Sequence, residues 1–586
     1  TYSYVWANFT PSTRVPRLAS AIAVATRGLA QVRSKAYATR PEEITLRIGK
    51  VTKWRERKKD ETLERWYQVA RSKARNVRSR EMTFSEMASL TRAKCARSHL
   101  TGLTGKEVKD ETARAKELVM AVYNNLPEIS EDHRTVTIMP KVEVFAITPE
   151  KPTRKPPRII AYPPLETRCV EKLVLGHIAP KVVKAVCGKA YGFDYTPQTR
   201  VKRMVQMWQK FKNPVGFTCD TVCFDSTITP EDVKEEEEIY CSAQIGDKTR
   251  ERIRALSTLY AGGPMRTQDG QYAGVRNCRA SGVFTTSSSN TITCWVKANA
   301  ALTRAGFKEW DLLVNGDDCV IVAESDGLEV DVNRCKSFSM WMKAYGCPQD
   351  ETPEPQYSLE QLTSCSSNVS VALLKDGSQM YYLTRDCRIP LARCIMEGKG
   401  SNPLGAWIGF LIQHAPSLWA SRVIAVHFLR YLLYCDPLPR FLEFDWWGNT
   451  WALPLEHLPE VLEALHGPEL WSVSTYTPLE VARVSKALQD MTSPPLRWWR
   501  KSAREVRVNC MRRGGLLKRL AMRLLWWDHH VNMPPLDKDI ISKYKTFNYN
   551  DFYVDPEDFY KKKNINLIAT YCISMAALIA TIGFLI

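Results

Sequence analysis

Two adjacent carboxylates lie between two apolar runs in the middle of the chain. Apolar residues on both sides flank Asn315-Gly316-Asp317-Asp318, and Asn-Gly between such runs is a strong short-range signal for a β-hairpin. The pattern predicts a strand, a tight turn and a second strand, with Asp317 and Asp318 at the tip. Like charges held together by a turn repel each other, which a divalent cation would relieve. A solvated surface hairpin is the alternative, since turns favour Asp in any case.

A third carboxylate, Asp220, precedes this hairpin in the sequence. It follows a segment, 215–220, in which apolar and polar side chains alternate as in a half-buried strand. Further on, Thr229 suits a helix N-cap, Pro230 the first helical position, and Asp232 the third position of a capping box. Asp220 is therefore predicted at the end of a strand that leads through a loop into a helix. Three carboxylates from one strand end and one hairpin tip are the ligands that two Mg²⁺ ions need in phosphoryl transfer.

Several motifs carry a resemblance to a known family. Three short motifs resemble motifs A, B and C of viral RNA-dependent RNA polymerases: Asp220 with Asp225; Ser281 and Gly282 with Thr286 and Asn290; and Gly316-Asp317-Asp318. Three longer stretches, 278–287, 364–370 and 382–386, and the opening residues 2–6 are similar to the polymerase of hepatitis C virus and its relatives. The chain is identified as a member of this branch of the flavivirus family, a hepacivirus or pegivirus polymerase, and the resemblance covers nearly its whole length.

The resemblance implies an α+β right-hand polymerase of fingers, palm and thumb, with an antiparallel palm sheet and a C-terminal transmembrane helix. The predicted boundaries are 1–187 for fingers with an N-terminal extension, 188–226 for palm with motif A, 227–286 for fingers and the start of motif B, 287–370 for palm with motifs B to E, 371–530 for thumb with an initiation hairpin at about 443–452, 531–564 for a linker and 565–586 for a transmembrane anchor.

The implied activity is RNA-templated RNA synthesis from nucleoside triphosphates by two-metal nucleotidyl transfer, with primer-independent initiation. Asp220, Asp317 and Asp318 are the expected catalytic residues, and Thr221 joins them among the metal ligands. The expected cofactor is a pair of Mg²⁺ ions, for which Mn²⁺ is a possible substitute. The expected partners are RNA template and product, nucleoside triphosphates, a membrane and other viral replication proteins.

The resemblance also implies a nucleotide-binding set, which consists of Arg47, Lys141, Lys155, Arg158, Asp225, Ser281, Thr286 and Asn290. Lys155 and Arg158 lie on a proline-rich basic loop, 152–160. Prolines stiffen a loop and cations on it are suited to gripping a triphosphate; a solubilising basic turn is the alternative. Asp225, Ser281 and Asn290 are expected at the ribose 2′-hydroxyl, which distinguishes RNA from DNA precursors.

Other candidates leave two interpretations open. Lys343 is a possible general acid for the leaving pyrophosphate or a surface helix lysine. Arg385 and Arg393 are either near a guanosine nucleotide site or in thumb ion pairs. The segment 444–451 predicts a β-hairpin with Gly-Asn at its turn. Its rings Trp446, Trp447 and Trp451 form either a stacking platform for initiation or an aromatic cover of the thumb core.

Charge and composition favour a polyanionic partner. Lys plus Arg number 82 and Asp plus Glu 63, a formal net charge of +19, which attracts RNA or an anionic membrane surface. Four successive glutamates, 235–238, point all round a helix and are expected to form a solvated face. The 17 cysteines include no CxxC pair, which favours reduced, structural thiols.

The C-terminal segment predicts a membrane anchor. No charged residue occurs between Ile565 and Ile586, and three lysines, 561–563, precede it, as the positive-inside rule expects of a cytosolic flank. By resemblance, the protein is expected on the cytosolic face of the host endoplasmic reticulum, anchored by its tail, after excision from a polyprotein. A membrane-anchored RNA-binding scaffold with a dead site and a reverse transcriptase are the rival hypotheses. The intact carboxylate set disfavours the first, and Asp225 with Asn290 disfavours the second.

Overall fold

The computed structural model describes residues 32–33, 41–141, 145–146, 156–387, 390, 403–435, 437–439, 441–446, 449–491 and 495–525. Helices and strands are mixed along this part of the chain. The strands are β1 Val32–Arg33, β2 Val136–Pro140, β3 Phe145–Ala146, β4 Ile159–Tyr162, β5 Pro214–Cys219, β6 Gly263–Thr267, β7 Tyr272–Arg276, β8 Trp310–Asn315, β9 Asp318–Glu324, β10 Asn368–Leu374, β11 Gln379–Thr384, β12 Phe441–Trp446, β13 Asn449–Pro454 and β14 Val473–Tyr476.

The helices surround and connect these strands. They are α1 Pro41–Thr52, α2 Glu61–Ala74, α3 Phe84–Ser89, α4 Gly105–Lys109, α5 Ala113–Asn124, α6 Glu131–Arg134, α7 Leu165–Leu175, α8 Ile178–Cys187, α9 Pro197–Gln209, α10 Phe224–Thr227, α11 Pro230–Cys241, α12 Asp247–Ala261, α13 Thr286–Ala305, α14 Leu328–Ala344, α15 Pro403–His414, α16 Ala425–Tyr434, α17 Leu458–His466, α18 Pro478–Met491, α19 Pro495–Arg513 and α20 Gly515–Leu524. A π-helical turn, Ala420–Ile424, precedes α16.

The sheet that carries the three aspartates has the order β5-β9-β8 and is antiparallel throughout. It is covered on both faces, since Leu312 and Ile321 belong to one hydrophobic core and Leu313 and Val320 to another. A strand buried on both faces needs apolar residues at successive positions. This is why β8 and β9 are nearly continuous apolar runs, whereas an exposed hairpin would show alternation.

Four further sheets lie in the described part of the chain, of which the two-stranded sheet of β1 and β3 is the smallest. One has the order β4-β2-β6-β7, in which β2 and β6 are parallel, and another has the order β11-β10-β14. Strands β12 and β13 form a separate hairpin. The residues 372–525 supply a hydrophobic core of their own, built mainly from α15, α16, α17 and α20 with β14. A second core at this end of the chain fits a separate structural unit.

Local sequence signals are confirmed in two helices. Thr229 caps α11, with the reciprocal capping box to Asp232. In α2, Leu63, Tyr67 and Ala70 recur in the sequence at helical spacing, which indicates one apolar face, and all three are fully buried. The predicted solvated face of glutamates in α11 is wrong, because the side chains of Glu236 and Glu237 are buried, at 2% and 4% exposure.

The predicted anchor, 565–586, and the linker before it lie outside the described residues. Among the helices that the structure does describe, none combines the length and the apolar character needed to cross a bilayer.

Candidate active site

Asp220 and Asp318 lie side by side at one end of the β5-β9-β8 sheet. Cys219, the last residue of β5, pairs with Cys319, the second residue of β9. The backbone of Asp220 is held on both sides, because its N–H donates to Gln349 Oε1 at 3.0 Å and its carbonyl accepts from Asp350 N at 2.9 Å. These bonds fix the main chain of Asp220, from which the exposed side chain projects. The prediction of a strand end at Asp220 is confirmed.

The hairpin between β8 and β9 is confirmed, but its turn lies one residue later than Asn-Gly. Asn315 already pairs with Asp318 across the two strands, which leaves Gly316 and Asp317 as the turn. Gly316 has φ +61°, a left-handed conformation that glycine adopts without strain. Its N–H donates to Thr291 Oγ1 at 2.9 Å. This hydrogen bond fixes the turn to the buried helix α13. Asp317 occupies the tip, and Asp318 begins the return strand.

Asp317 is the electrostatic centre of the site. Its pKa is raised above the usual value, first because the surroundings remove part of its hydration and then because Asp225, Asp318 and Asp220 repel its negative charge. Three other carboxylates therefore act on Asp317 at this end of the sheet. Joint cation binding by Asp220, Asp317 and Asp318 stays a prediction.

Asp318 is tied to a turn from a distant part of the chain. Ser364 Oγ donates to Asp318 Oδ1 and Cys365 N–H donates to Asp318 Oδ2, each at 2.7 Å. Cys365 and Ser366 have φ +53° and +61°, which is uncommon for residues other than glycine and is typical of strained functional turns. Arg200 donates to Ser364 Oγ at 2.9 Å and thereby supports this contact. Both Asp318 oxygens are thus engaged, which gives this carboxylate a fixed direction.

The donor set suits a hard divalent cation, because clustered carboxylate oxygens are the ligands that Mg²⁺ prefers. In the part of the chain that the structure describes, no three His, Cys, Asp or Glu side chains are close enough together to hold an ion. The observation that fits cation binding is the place of Asp220 and Asp318 at one end of the sheet, next to the turn residue Asp317. Thr221, the fourth predicted ligand, is buried, and its Oγ1 accepts from Gln349 Nε2 at 3.0 Å.

Asp225 and Asn290, which the sequence placed together at the ribose site, are in contact. Asn290 Nδ2 donates to Asp225 Oδ1 at 2.7 Å. Asn290 lies on the second turn of α13 and is 5% exposed, whereas Asp225 in α10 is half-buried. A buried amide that donates to a half-exposed carboxylate leaves the remaining acceptor sites of that carboxylate available on its open side.

Ser281 and Gly282 lie against strand β4. Ser281 Oγ accepts from Ala161 N at 3.0 Å, and Gly282 N donates to Ala161 O at 2.7 Å. A Cβ at Gly282 would come within 2.6 Å of that carbonyl, so the close approach requires glycine. Thr286, the first residue of α13, closes the same loop by donating from Oγ1 to Ala280 O at 2.7 Å. Ser281 and Thr286 therefore flank one loop, which leads into the helix that carries Asn290.

Hydrogen bonds connect three of the four predicted triphosphate-binding residues through one loop, although the Lys141–Arg158 bond joins main-chain atoms only. Arg47 Nη2 donates to Pro156 O at 2.8 Å, and Lys141 N donates to Arg158 O at 2.7 Å. The fourth, Lys155, lies outside the described residues. Arg47 Nη1 also lies 4.0 Å from the sulfur of Cys223, in the loop between Asp220 and Asp225. Arg47 therefore connects the basic loop to the segment between Asp220 and Asp225.

The remaining candidates are less closely connected to the aspartates. Lys343 is exposed in the last turn of α14, and both of its predicted roles stay open. Arg385 is half-buried and donates from Nε to Asp386 O at 3.2 Å, whereas Arg393 lies outside the described residues. Both stay predictions.

The predicted tryptophan hairpin is present as the backbone of β12 and β13. Trp446 pairs with Asn449, so Asn449 is a strand residue and does not belong to the turn as predicted. Trp447 lies outside the described residues, and the side chains of Trp446 and Trp451 are not described. The role of these rings stays a prediction.

The sequence analysis missed a second set of residues that support the site. These are Lys50, whose Nζ lies 3.9 Å from Cys223 Sγ, Glu171, Arg200, Glu236, Arg279, Thr291 and Ser364. Each of them makes a contact with a residue at least 25 positions away in the sequence. Arg279 and Ser364 lie within the stretches 278–287 and 364–370, which carried the resemblance, and this was the only signal for them.

Comparisons with known proteins agree with this geometry. The family described as "Viral RNA dependent RNA polymerase" matches residues 3–513. The genome polyprotein of Hepatitis GB virus B is 47% identical over 559 residues, which is 95% of this chain and 19% of that polyprotein. The genome polyproteins of Hepatitis C virus genotypes 2c and 3a are each 40% identical over 85% of this chain and 16% and 17% of their own lengths.

The chain spans about a fifth or less of the length of these curated relatives. The family match, by contrast, extends over nearly the whole chain and includes every residue of the carboxylate cluster. This chain belongs to the viral RNA-dependent RNA polymerase family.

Proposed function

We propose that this protein replicates a positive-strand viral RNA genome by two-metal nucleotidyl transfer with Mg²⁺. The observation that carries the proposal is the cluster of Asp220, Asp225 and Asp318 around Asp317, at the end of an antiparallel sheet and beside a basic loop. Polymerases of this family generally use divalent metal ions. We assign the β5-β9-β8 sheet to a palm, the unit of residues 372–525 to a thumb, and the N-terminal helices to fingers.

In the reaction, the 3′-hydroxyl of the growing strand attacks the α-phosphorus of a nucleoside triphosphate. A new P–O bond forms, the bond to the β-phosphate oxygen breaks, and pyrophosphate leaves. Asp220, Thr221, Asp317 and Asp318 would hold the cations. When bound, two such cations supply positive charge to the attacking and leaving oxygens.

The side chains of this protein bind and orient the other parts of the substrate. Arg47, Lys141 and Arg158, with Lys155 by resemblance, would neutralise the triphosphate. Asp225, backed by Asn290, presents carboxylate oxygens to the ribose hydroxyls. Ser281 and Gly282 hold the loop beside β4, against which the incoming base and its template partner are expected to lie.

Primer-independent initiation and membrane anchoring complete the proposal. The β12–β13 hairpin would support the first nucleotides, and the segment 565–586 would anchor the protein to the cytosolic face of the endoplasmic reticulum, beside other viral replication proteins. The support is the backbone hairpin for the first and the uncharged tail behind three lysines for the second.

Nucleotide incorporation by protein lacking residues 564–586 tests the function. On a homopolymeric RNA template without primer, it is expected to incorporate the complementary ribonucleotide only when Mg²⁺ or Mn²⁺ is present. Incorporation of deoxynucleotides in preference to ribonucleotides, on a primed RNA template, would favour a reverse transcriptase. RNA binding without incorporation under every metal condition would favour the scaffold.

A further inference from the structure

The side-chain amide of Asn290 is held from two sides. Arg279 Nε donates to Asn290 Oδ1 at 2.8 Å, and Asn290 Nδ2 donates to Asp225 Oδ1 at 2.7 Å. The two ends of an amide have nearly the same shape, but a guanidinium can only donate hydrogen bonds. The contact with Arg279 therefore turns the oxygen of Asn290 inward and its NH₂ group toward Asp225.

Arg279 is itself fixed by a buried carboxylate. Its Nη1 donates to Glu236 Oε2 at 2.9 Å, and its Nη2 donates to Glu236 Oε1. The side chains are 1% and 3% exposed, and Glu236 also accepts from Thr293 Oγ1 at 2.7 Å. A bidentate ion pair of this kind fixes the orientation of the guanidinium plane. Arg279 N–H also donates to Asp225 O at 3.1 Å, so the residue positions both partners.

We propose that the Arg279–Glu236 ion pair sets the selection of ribonucleotides over deoxyribonucleotides, by orienting Asn290 toward Asp225. The inference rests on the proposed polymerase function and deepens it. If the amide turned round, its oxygen would face the Asp225 carboxylate and repel it. In the observed orientation the carboxylate stays in place, with acceptor sites left for a ribose hydroxyl. A deoxyribose offers no 2′-hydroxyl to donate, so its binding gains nothing from this arrangement.

A purely structural role for the pair is the competing explanation, and the molecule contains a matched control. Helices α11 and α13 are also joined by Asp232 and Lys297, whose charged atoms lie 2.9 Å apart with both side chains fully buried. This second pair does not contact Asn290 or Asp225. Asp232 retains Arg57 as a partner when Lys297 is replaced. Lys297→Met thus loosens the same helix contact without leaving the buried carboxylate uncompensated.

The test variant replaces both members of the pair, Arg279→Gln with Glu236→Gln. Removing only one would leave a buried unpaired charge, which strongly destabilises a protein. Glu236→Gln keeps the shape, whereas Arg279→Gln shortens the side chain by two heavy atoms. A glutamine amide both donates and accepts, so it does not fix the direction of Asn290. The kcat/KM for a ribonucleoside triphosphate and for its 2′-deoxy analogue would be measured on the same primed RNA.

The ratio of the two kcat/KM values is expected to fall at least about tenfold in the double variant, mostly through slower use of the ribonucleotide. Lys297→Met should lower the melting temperature and leave the ratio unchanged. In protein that already carries Asn290→Ala, the double change should no longer alter the ratio, because Arg279 acts through Asn290.

Three outcomes would overturn the inference. They are an unchanged ratio in the double variant, an equal fall in Lys297→Met, and a full effect of the double change without Asn290. A wild-type protein that incorporates neither substrate would overturn the proposed function itself, and the inference with it. If the wild type prefers ribonucleotides and the double variant keeps that preference, the proposed function stands. Only the role of the ion pair is then removed.

Discussion

At the scale of single residues, the site brings like charges together and then restrains them. Asp220, Asp225 and Asp318 all repel Asp317. Asp318 is held by Ser364 and the N–H of Cys365, and Asp225 by Asn290. Neutral donors orient the carboxylates without cancelling their charge, which keeps them available for a cation.

Replacement of Asp317 by Asn should separate catalysis from folding. Asn keeps the shape and removes the charge, so nucleotide incorporation should fall by at least about 100-fold because electrostatic positioning dominates phosphoryl transfer. In the absence of divalent cations, the variant should melt no lower than the wild type, since a repulsive charge is gone. Asp376→Asn, in the exposed turn after β10, is the control for a lost surface carboxylate. Incorporation at the wild-type rate by Asp317→Asn would reject its catalytic assignment.

Glu171 should make stability depend on pH. It is fully buried, its Oε1 accepts from Phe284 N in the loop of Ser281 at 3.0 Å, and burial raises its pKa to about 7. A raised carboxyl pKa stabilises the folded state at low pH, and this contribution is lost as the pH rises from about 4.5 through about 7. Glu171→Gln mimics the protonated form and keeps an acceptor for Phe284 N.

Above pH 7, Glu171→Gln should therefore be more stable than the wild type by roughly 3 kcal/mol. Near pH 5 the difference should be small. Melting temperatures of the two proteins between pH 5 and 8 measure this. A constant difference across that range would show that Glu171 is not the titrating group.

At the scale of elements, short turns position the carboxylates and their hydrogen-bond donors at the end of the sheet. The β8–β9 turn presents Asp317, and the turn from Ser364 to Ser367 presents its donors to Asp318. The two differ in one respect, since Gly316 supplies the positive φ in the first, whereas Cys365 and Ser366 adopt it in the second. Strain that persists in the second turn is offset by its bonds to Asp318.

Cys365→Gly should therefore stabilise the protein without loss of activity. Cys365 is exposed, so little burial is lost, and glycine relieves a left-handed conformation that costs about 1 kcal/mol in other residues. The N–H that donates to Asp318 remains. Ser364→Ala is the contrasting change, because it removes the other donor and should lower the incorporation rate. A lower melting temperature for Cys365→Gly, measured by differential scanning fluorimetry, would contradict the assignment of strain.

Shortening the β12–β13 hairpin between residues 445 and 451 should change the mode of synthesis. We expect weaker initiation from single nucleotides, with extension of an annealed primer spared or improved, because a shorter hairpin leaves more room for a duplex. Both reactions would be followed on the same template. An equal fall in both would make the segment a structural part of the thumb.

At the scale of the whole molecule, the net charge favours RNA binding and the apolar cores stabilise the fold. The net charge of +19 provides an attraction for RNA that weakens steeply with salt. The separate core of residues 372–525 gives the C-terminal unit its own stability. Between these cores, β8, β9 and β10 share buried residues such as Leu313, Val320 and Val371, which anchors the site to the interior.

Deletion of residues 564–586 should release the protein from membranes. The segment 565–586 contains no charge, and about 20 apolar residues suffice to span a bilayer. The shortened protein should appear in the soluble fraction after membrane pelleting while its polymerase activity is retained. Deletion of 526–533 with the tail kept is the control for a general effect of shortening. Retention of the shortened protein on membranes after a high-salt wash would contradict a single C-terminal anchor.

The sequence by itself determined the local parts of the site. Asn-Gly between apolar runs indicated the hairpin of Asp317, and Thr229-Pro230 indicated the start of α11, because turns and helix caps depend on neighbouring residues. The resemblance placed Asp225 with Asn290. The turn position was one residue off, since strand pairing between Asn315 and Asp318 is decided by register across the whole sheet.

Only the tertiary structure decided what supports these residues. Glu236 reads as one of four glutamates on a solvated helix, yet it is buried against Arg279, 43 residues away. Ser364 reaches Asp318 across 46 residues and Glu171 reaches Phe284 across 113. Such contacts arise when helices and sheets pack and water is excluded, so a buried charge must find a partner wherever the fold provides one. No local pattern encodes that choice, because the partner is set by the packing of the whole chain.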